Sequence, residues 1–500
     1  MSLLGIDIGT TGTKVVALSA DGALLALTQC EYDVIRPQPG WAELDSRSVW
    51  ARIQNAICEA VAQTAGDPIT ALSFSSMGEA MTPVSKDRDI LGNCLLGFDS
   101  RGGETIERLA ALDPVKFFER SGNVPSLIYG GQKLIWLRDH QPELFATTDK
   151  FLGWGALAAY LLGGEAVEDY ACANRTLFLD VREGAWSDET LAYVGMPPDK
   201  LPPLVQAGTP VGTVSKAVAE SLGLPPNVKI IAGTHDQCAN ALGAGVIRPG
   251  MAAYGIGTYI CIAPAYDSIP PAAPMIAACL NVEHHALAGL YVSFLYNLTG
   301  GALLKWFRDT FAPLEHRQAQ AERRDVYDQL LAEMPPEPTG LMVLPHFAPT
   351  GPPYFDPNSY GLIAGLTLET TRGEFIKGLL EGITYYFRDG LKRMSAAGIE
   401  IDEFRVTGGG ARSDAWLQIK ADIIGKPLAR PRFSEASALG AAILAGVGSG
   451  VYASAHEAID ALVQIDRVVD PDARRQRLYD EAFSRYQLLY PFTQALKGSR

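Results

Sequence analysis

The chain has 500 residues, 47% of them hydrophobic and 20% charged, and carries a net charge of −14. That length exceeds what one hydrophobic core serves and predicts two large domains in an ordinary globular protein. The negative balance argues against nucleic acid as the main partner, since such binders carry a basic face, but glycine-loop amides can still hold an anionic ligand.

In chain order, residues 3–8, 14–19 and 22–34 are β-type runs, with Asp21-Gly22 as a hairpin turn, and they predict an antiparallel meander. The first turn, "DIGTTGTK", sets Asp7 at a strand end and follows it with Gly9, Thr10, Thr11, Gly12 and Lys14. Such a turn can cradle the terminal phosphates of ATP, with Asp7 aimed at Mg²⁺ directly or through water. A plain hairpin with a capping aspartate accounts for the same letters. A helix follows from Asp45, capped by Asp45, Ser46 or Ser48, with Val49, Trp50, Ile53, Ile57, Ala60 and Val61 on its apolar face. Residues 69–75 form a short strand that runs into the loop "SMGEAM". Glu79 and Asp99 lie in loops after strands, and Arg101 stands close to Asp99. Carboxylates and a guanidinium suit a polyhydroxylated ligand; an Asp–Arg surface pair is the alternative.

Near the middle, "VKIIAGTHDQCANALGAG" (228–245) reads as a strand, a polar turn and an Ala-rich helix with close-packing glycines. Asp236, at the helix start, can take a proton from a substrate hydroxyl while that oxygen attacks phosphorus, and Gln237 can hold neighbouring hydroxyls. A helix cap, or half of a His235–Asp236 metal pair, would use the same residues. "GMAAYGIGTYICIAP" (250–264) is a strand, a glycine turn and a strand, and "FRVTGGGARSDAWLQIKADIIGKPL" (404–428) is a strand, a glycine turn and a helix. Glycine clusters after strands let a flat ring or a phosphate approach the backbone.

Strand–turn–strand therefore opens each half, and strand–turn–helix comes late in each. The duplication predicts two related α/β domains, 1–247 and 248–500, facing each other across a cleft, with the boundary at "IRPG" (247–250). Residues 264–274 and 333–340 read as loops, and 466–490 as one or two surface helices. The seven cysteines, at 30, 58, 94, 172, 238, 261 and 279, form no CxxC pair. A disulfide framework or zinc site is not expected, and a reducing cytoplasm fits. The N-terminus shows no basic-then-apolar signal, and the weakly polar runs fall short of the roughly 20 residues of a membrane helix. A cytoplasmic protein without a membrane partner is the expectation.

These pieces in this order resemble the FGGY family of carbohydrate kinases. The resemblance spans nearly the whole chain: "GIDIGTTGTK", "PGWAELD" (39–45), "FDSR" (98–101), "AGTHDQCANALGAG", "YGIGT" (254–258), "GLIAGLTLETTRGEFIKGLLEGITY" (361–385) and "GGGARSDAWLQIKADIIGKPL". It implies an α/β fold of two ribonuclease-H-like domains, of the actin and hexokinase type, closing over ATP and a sugar or polyol. By position it implies that Asp236 is the catalytic base and Asp7 the Mg²⁺-associated acid. Thr10, Thr11 and Lys14 would lie near the phosphates, and Gly255, Gly257 and Thr258 would form the second phosphate loop. Gly409, Gly410, Ala411 and Asp414 would form the adenosine site, and Glu79, Asp99 and Gln237 would face the acceptor.

Two departures bear on substrate. The second phosphate loop has Ile256 where the family has a small or hydroxylated residue. Xylulokinases have Gln-Met-His-Gly where this chain has Ser76-Met77-Gly78-Glu79, and glycerol kinases have Arg-Glu where it keeps only the glutamate. A ketopentose such as xylulose is the first expectation; a tetritol, pentitol, glycerol or sugar acid follows. A non-catalytic sugar sensor and an actin- or chaperone-type ATPase share the scaffold, but a sensor has no need of Asp236 and Asp7. A homodimer is the base-rate expectation.

Overall fold

The computed structural model describes residues 1–497, so the last three residues of the expected second domain lie outside it. Strands Ser2–Ile8, Gly12–Ser19 and Leu24–Glu31 form the expected antiparallel meander. Ile69–Ser76 adds in parallel beside Ser2–Ile8, and Lys229–Ile231 adds in parallel beside that. In the second half, Met251–Ile256 pairs antiparallel with Ile260–Tyr266, which pairs antiparallel with Leu295–Asn297. Glu403–Thr407 adds in parallel beside Met251–Ile256, and Leu428–Pro431 in parallel beside that. The two sheets thus repeat one strand order, and the duplication seen in the turns is a duplication of topology.

Local chemistry accounts for the supporting helices. Helix Ser46–Ala62 starts where Asp45 accepts from the amides of Arg47 and Ser48, a cap contributing about 1 kcal/mol. Its buried face of Val49, Ile53, Ile57, Ala60 and Val61 packs into the core of the first sheet. The long helix Arg372–Ala396 starts in a capping box of Thr371 and Glu374 and buries Ile376, Leu379, Leu380 and Ile383 under the second sheet.

A third core joins the sheets, and two helices fill it. Asp236–Gly243 and Ala436–Ser449 lie against each other, and the second, from late in the chain, also packs on Ser2–Ile8 and Ile69–Ser76. Glycines permit this approach. A Cβ on Gly440 would stand 2.0 Å from the Ala239 carbonyl oxygen, and one on Gly5 would stand 2.0 Å from that of Ala438.

Two sequence expectations need correction. Residues 264–274 are not one loop: strand Ile260–Tyr266 runs into them and helix Ala272–Ala277 ends them. Residues 466–490 are not surface helices alone. Ile465–Val469 is a strand at the edge of the second sheet, and helix Ala473–Tyr486 buries Tyr479, Phe483 and Tyr486. The charges there occupy only the outer face of an amphipathic element. All seven cysteines are free, and no helix among the described residues is long and apolar enough to cross a membrane.

Candidate active site

The carboxyl ends of the central strands of both sheets converge on one cavity of about 560 Å³. Ligands collect at such strand ends because the turns there offer unpaired backbone groups. Asp7 ends Ser2–Ile8, Gly255 and Ile256 end Met251–Ile256, and Thr407 ends Glu403–Thr407; all line the cavity. The helix Asp236–Gly243 opens into it with Asp236 and Gln237.

Of the residues singled out from sequence, Asp7, Thr10, Lys14, Glu79, Asp236, Gln237, Gly255 and Gly257 line this one space. Thr11 and Thr258 sit exposed at the tips of their turns, off the lining. Ile256 is buried in the second core, where its Cγ2 would stand 2.4 Å from a Cβ on Gly410, so its apolar side chain is a packing residue under the turn Gly409–Arg412. Gly408 lines the cavity, and Ala411 lines an adjoining cavity of about 310 Å³ with Arg412, Arg430 and Arg432. Gly409 and Gly410 stand between the two, in the short helix Gly409–Arg412. Asp414 faces outward and pairs with Arg430 and Arg467.

Asp99 is not brought to the cavity. Its carboxylate is fully buried and accepts from the Ala42 amide at 2.6 Å and from Arg101 Nε at 2.9 Å. Arg101 in turn pairs with Glu43 at 2.7 Å and lies over the ring of Trp41. An acceptor contact and a buried ion pair demand the same residue types, and here the ion pair uses them.

The electrostatics separate two carboxylates. Burial pushes Asp7 up to about 7, against a hydrogen bond from the Ser75 hydroxyl at 2.6 Å. Burial also raises Asp236, and the His235 ring beside it opposes that rise. Lys14 is ion-paired with Glu435, which joins the first turn to the loop before helix Ala436–Ser449. Asn240 and Thr407 share hydrogen bonds across the two halves.

Sequence reasoning missed the cation beside Glu79. Arg175 donates to Glu79 through Nε at 2.9 Å and lies 3.4 Å from Glu283. A Cβ on Gly78 would stand 2.6 Å from Arg175 Cγ and 2.8 Å from His235 Cδ2. The volume that a side chain at 78 would take is therefore already filled. Burial works to raise Glu79, and Arg175 overcomes it and holds the carboxyl below its ordinary range. Tyr129, Phe294 and Tyr296 add aromatic walls.

Residues 2–243 match the N-terminal domain, and 276–449 the C-terminal domain, of the FGGY family of carbohydrate kinases. The chain is 26% identical to the xylulose kinase of Bacillus subtilis, over 99% of this chain and 97% of that one. It is 32% identical to the glycerol kinase of Dechloromonas aromatica, over 95% of this chain and 94% of that one. The crystal structure of xylulose kinase from Rhodospirillum rubrum superposes with a TM-score of 0.88 at 28% identity, covering 99% of this chain and all of that one. With both halves matched, and the fold repeated throughout, the chain belongs to the FGGY family and is a carbohydrate kinase.

Proposed function

We propose that this kinase transfers the γ-phosphoryl group of ATP to a hydroxyl of a small neutral sugar or polyol, a ketopentose such as xylulose first among them. The observation that carries the reading is the single cavity in which Asp236, Asp7 and the glycine turns of both sheets meet. ATP would lie on the second half with its base beside Gly409–Ala411 and its phosphates against Thr10, Lys14, Gly255 and Gly257. The acceptor would lie beside Glu79, Gln237 and Asp236. Asp236 takes the proton of the acceptor hydroxyl as that oxygen bonds to the γ-phosphorus. The bond from phosphorus to the bridging oxygen breaks, and ADP leaves with the electron pair. The protein's remaining work is placement in line and exclusion of water.

The oxygens around Asp7 suit a hard cation, which takes one or two carboxylates together with substrate phosphates. A bound Mg²⁺ would neutralise charge developing on the phosphates, and Asp7 would hold it. The elevated pKa of Asp7 marks a carboxylate that gains from a cation nearby.

Neutral acceptors are favoured over sugar acids because the acceptor-side cation is spent. Arg175 is shared between Glu79 and Glu283, and the other cation on that side, His235, is paired with Glu283 and Asp236, so neither is free for an acceptor carboxylate. Coupled ADP release with Mg-ATP against ketopentoses, pentitols, tetritols, glycerol and aldonates tests the reading. One neutral acceptor should turn over, and Asp236→Asn should remove nearly all transfer while ATP still binds. Near-wild-type turnover by that variant, or preference for an aldonate, would refute it.

A further inference from the structure

Behind Asp236 lies a chain of buried charges that none of the substrate contacts above requires. His235 Nδ1 is 2.6 Å from Glu283 Oε1, and its Nε2 is 3.2 Å from Asp236 Oδ1. Both ring nitrogens thus face carboxylate oxygens, and only the imidazolium can present a proton to both. Glu283 is fully buried and also receives the Cys238 thiol at 3.4 Å and Arg175 at 3.4 Å. It lies on strand Glu283–His284, paired with Tyr291–Val292 at the edge of the second sheet, whereas His235, Asp236, Cys238 and Arg175 belong to the first half.

His235, Cys238 and Glu283 also have the spacing of a small metal site. Arg175 beside Glu283 opposes a cation there, and the hydrogen bonds already engage the donor atoms. The cluster reads instead as a fixed ion-pair relay.

We propose that His235 and Glu283 are positioning residues for phosphoryl transfer: Glu283, from the second half, holds the His235 cation against one oxygen of Asp236 and leaves the other oxygen free for the acceptor hydroxyl. This rests on the reading of Asp236 as the base. The cation disfavours protonation of Asp236, countering its burial. Burial would also lower His235, but Glu283 and then Asp236 outweigh it and push the ring up to about 9. The groups facing the ring are Glu283, Asp236, Arg175, Cys238 and the edge of Phe294, with Glu79 beyond Arg175. Because Glu283 comes from the other half of the chain, the base is complete only while the halves are together.

The test uses the full chain and three variants: Glu283→Gln, which keeps the shape and an accepting oxygen but removes the charge, His235→Asn and Asp236→Asn. Thermal melts first establish that each is folded. The kcat is then followed across pH with D-xylulose, or with the acceptor the panel returns, and His235 is followed by its imidazole nitrogen signals, identified by their loss in His235→Asn. In the wild-type protein the ring should remain an imidazolium at pH 8. In Glu283→Gln about half of it or more should be neutral there, with the acid limb of kcat moved up and the alkaline limb moved down by about one unit or more each, and the KM for ATP held. A neutral ring in the wild type at pH 8 would overturn the proposal, even if a variant failed to fold. So would wild-type pH profiles in Glu283→Gln and His235→Asn beside an inactive Asp236→Asn. An active Asp236→Asn would instead overturn the assignment of the base.

Discussion

Replacing Arg175 with methionine should destabilise the protein in a manner that depends on pH. Arg175 is buried between Glu79 and Glu283, and methionine keeps much of its bulk while removing the charge. Breaking a buried ion pair by removing one partner costs about 3–5 kcal/mol, because the remaining charge stays buried alone. Unfolding entropy near 2.1 cal/mol/K per residue gives roughly 1 kcal/mol/K over this chain, so the thermal midpoint should fall by about 3–5 °C at pH 8. The pH dependence follows from Glu79, whose pKa in the folded protein is depressed. Its stabilisation is present above the pKa of the unfolded chain and is lost as pH falls through the folded value. Without Arg175, burial raises that pKa instead, so the folded variant gains protons before the unfolded chain does. The variant's deficit should therefore shrink between pH 8 and pH 5. Midpoints from calorimetry across this range decide the matter. A deficit below about 1 °C at pH 8, or one unchanged at pH 5, would refute the view that Arg175 acts as the compensating charge of this pocket.

Three other perturbations follow from the packing. Gly78→His, which restores the xylulokinase letter, should lower rather than raise kcat/KM for xylulose, because its Cβ would stand 2.6 Å from Arg175 Cγ; improved turnover would contradict that. Gly440→Ala should cost about 1–3 kcal/mol or more, since its Cβ would stand 2.0 Å from the Ala239 carbonyl oxygen, and an unchanged melting midpoint would show that the helix pair yields freely. Glu168, pushed up to about 8 by burial and by Asp169, favours the fold below the unfolded-state pKa and loses that contribution as pH rises through 8. Glu168→Gln should therefore gain on the parent in thermal midpoint from pH 5 to pH 8.5, and parallel profiles would refute it.

The legible part of the site was the part carried by short stretches of chain. A strand ending in an acid and a glycine turn needs only neighbouring residues, so Asp7, Gly255, Gly257 and Asp236 stood out and do line one cavity. The same locality misplaced Asp99: Asp-x-Arg suits a sugar hydroxyl as well as an ion pair, and the neighbours that choose between them, Trp41 and Glu43, lie more than fifty residues away in sequence. Arg175 carried no local signal at all, since its partners are residues 79 and 283. One clue to it was present in the letters, the glycine at 78 where the resemblance to xylulokinases implies a histidine, because a vacated volume in a packed interior is filled from elsewhere. The division of the chain at 247 likewise assumed that each half packs on itself. Helix Ala436–Ser449 instead lies on Ser2–Ile8, and Glu283 reaches His235 of the other half. The groups that would aim and hold Asp236 are therefore drawn from both halves, a long-range arrangement that no period or motif encodes. It gives a physical reason for building such a kinase from two facing sheets: charged groups from both sheets meet at Asp236 and His235.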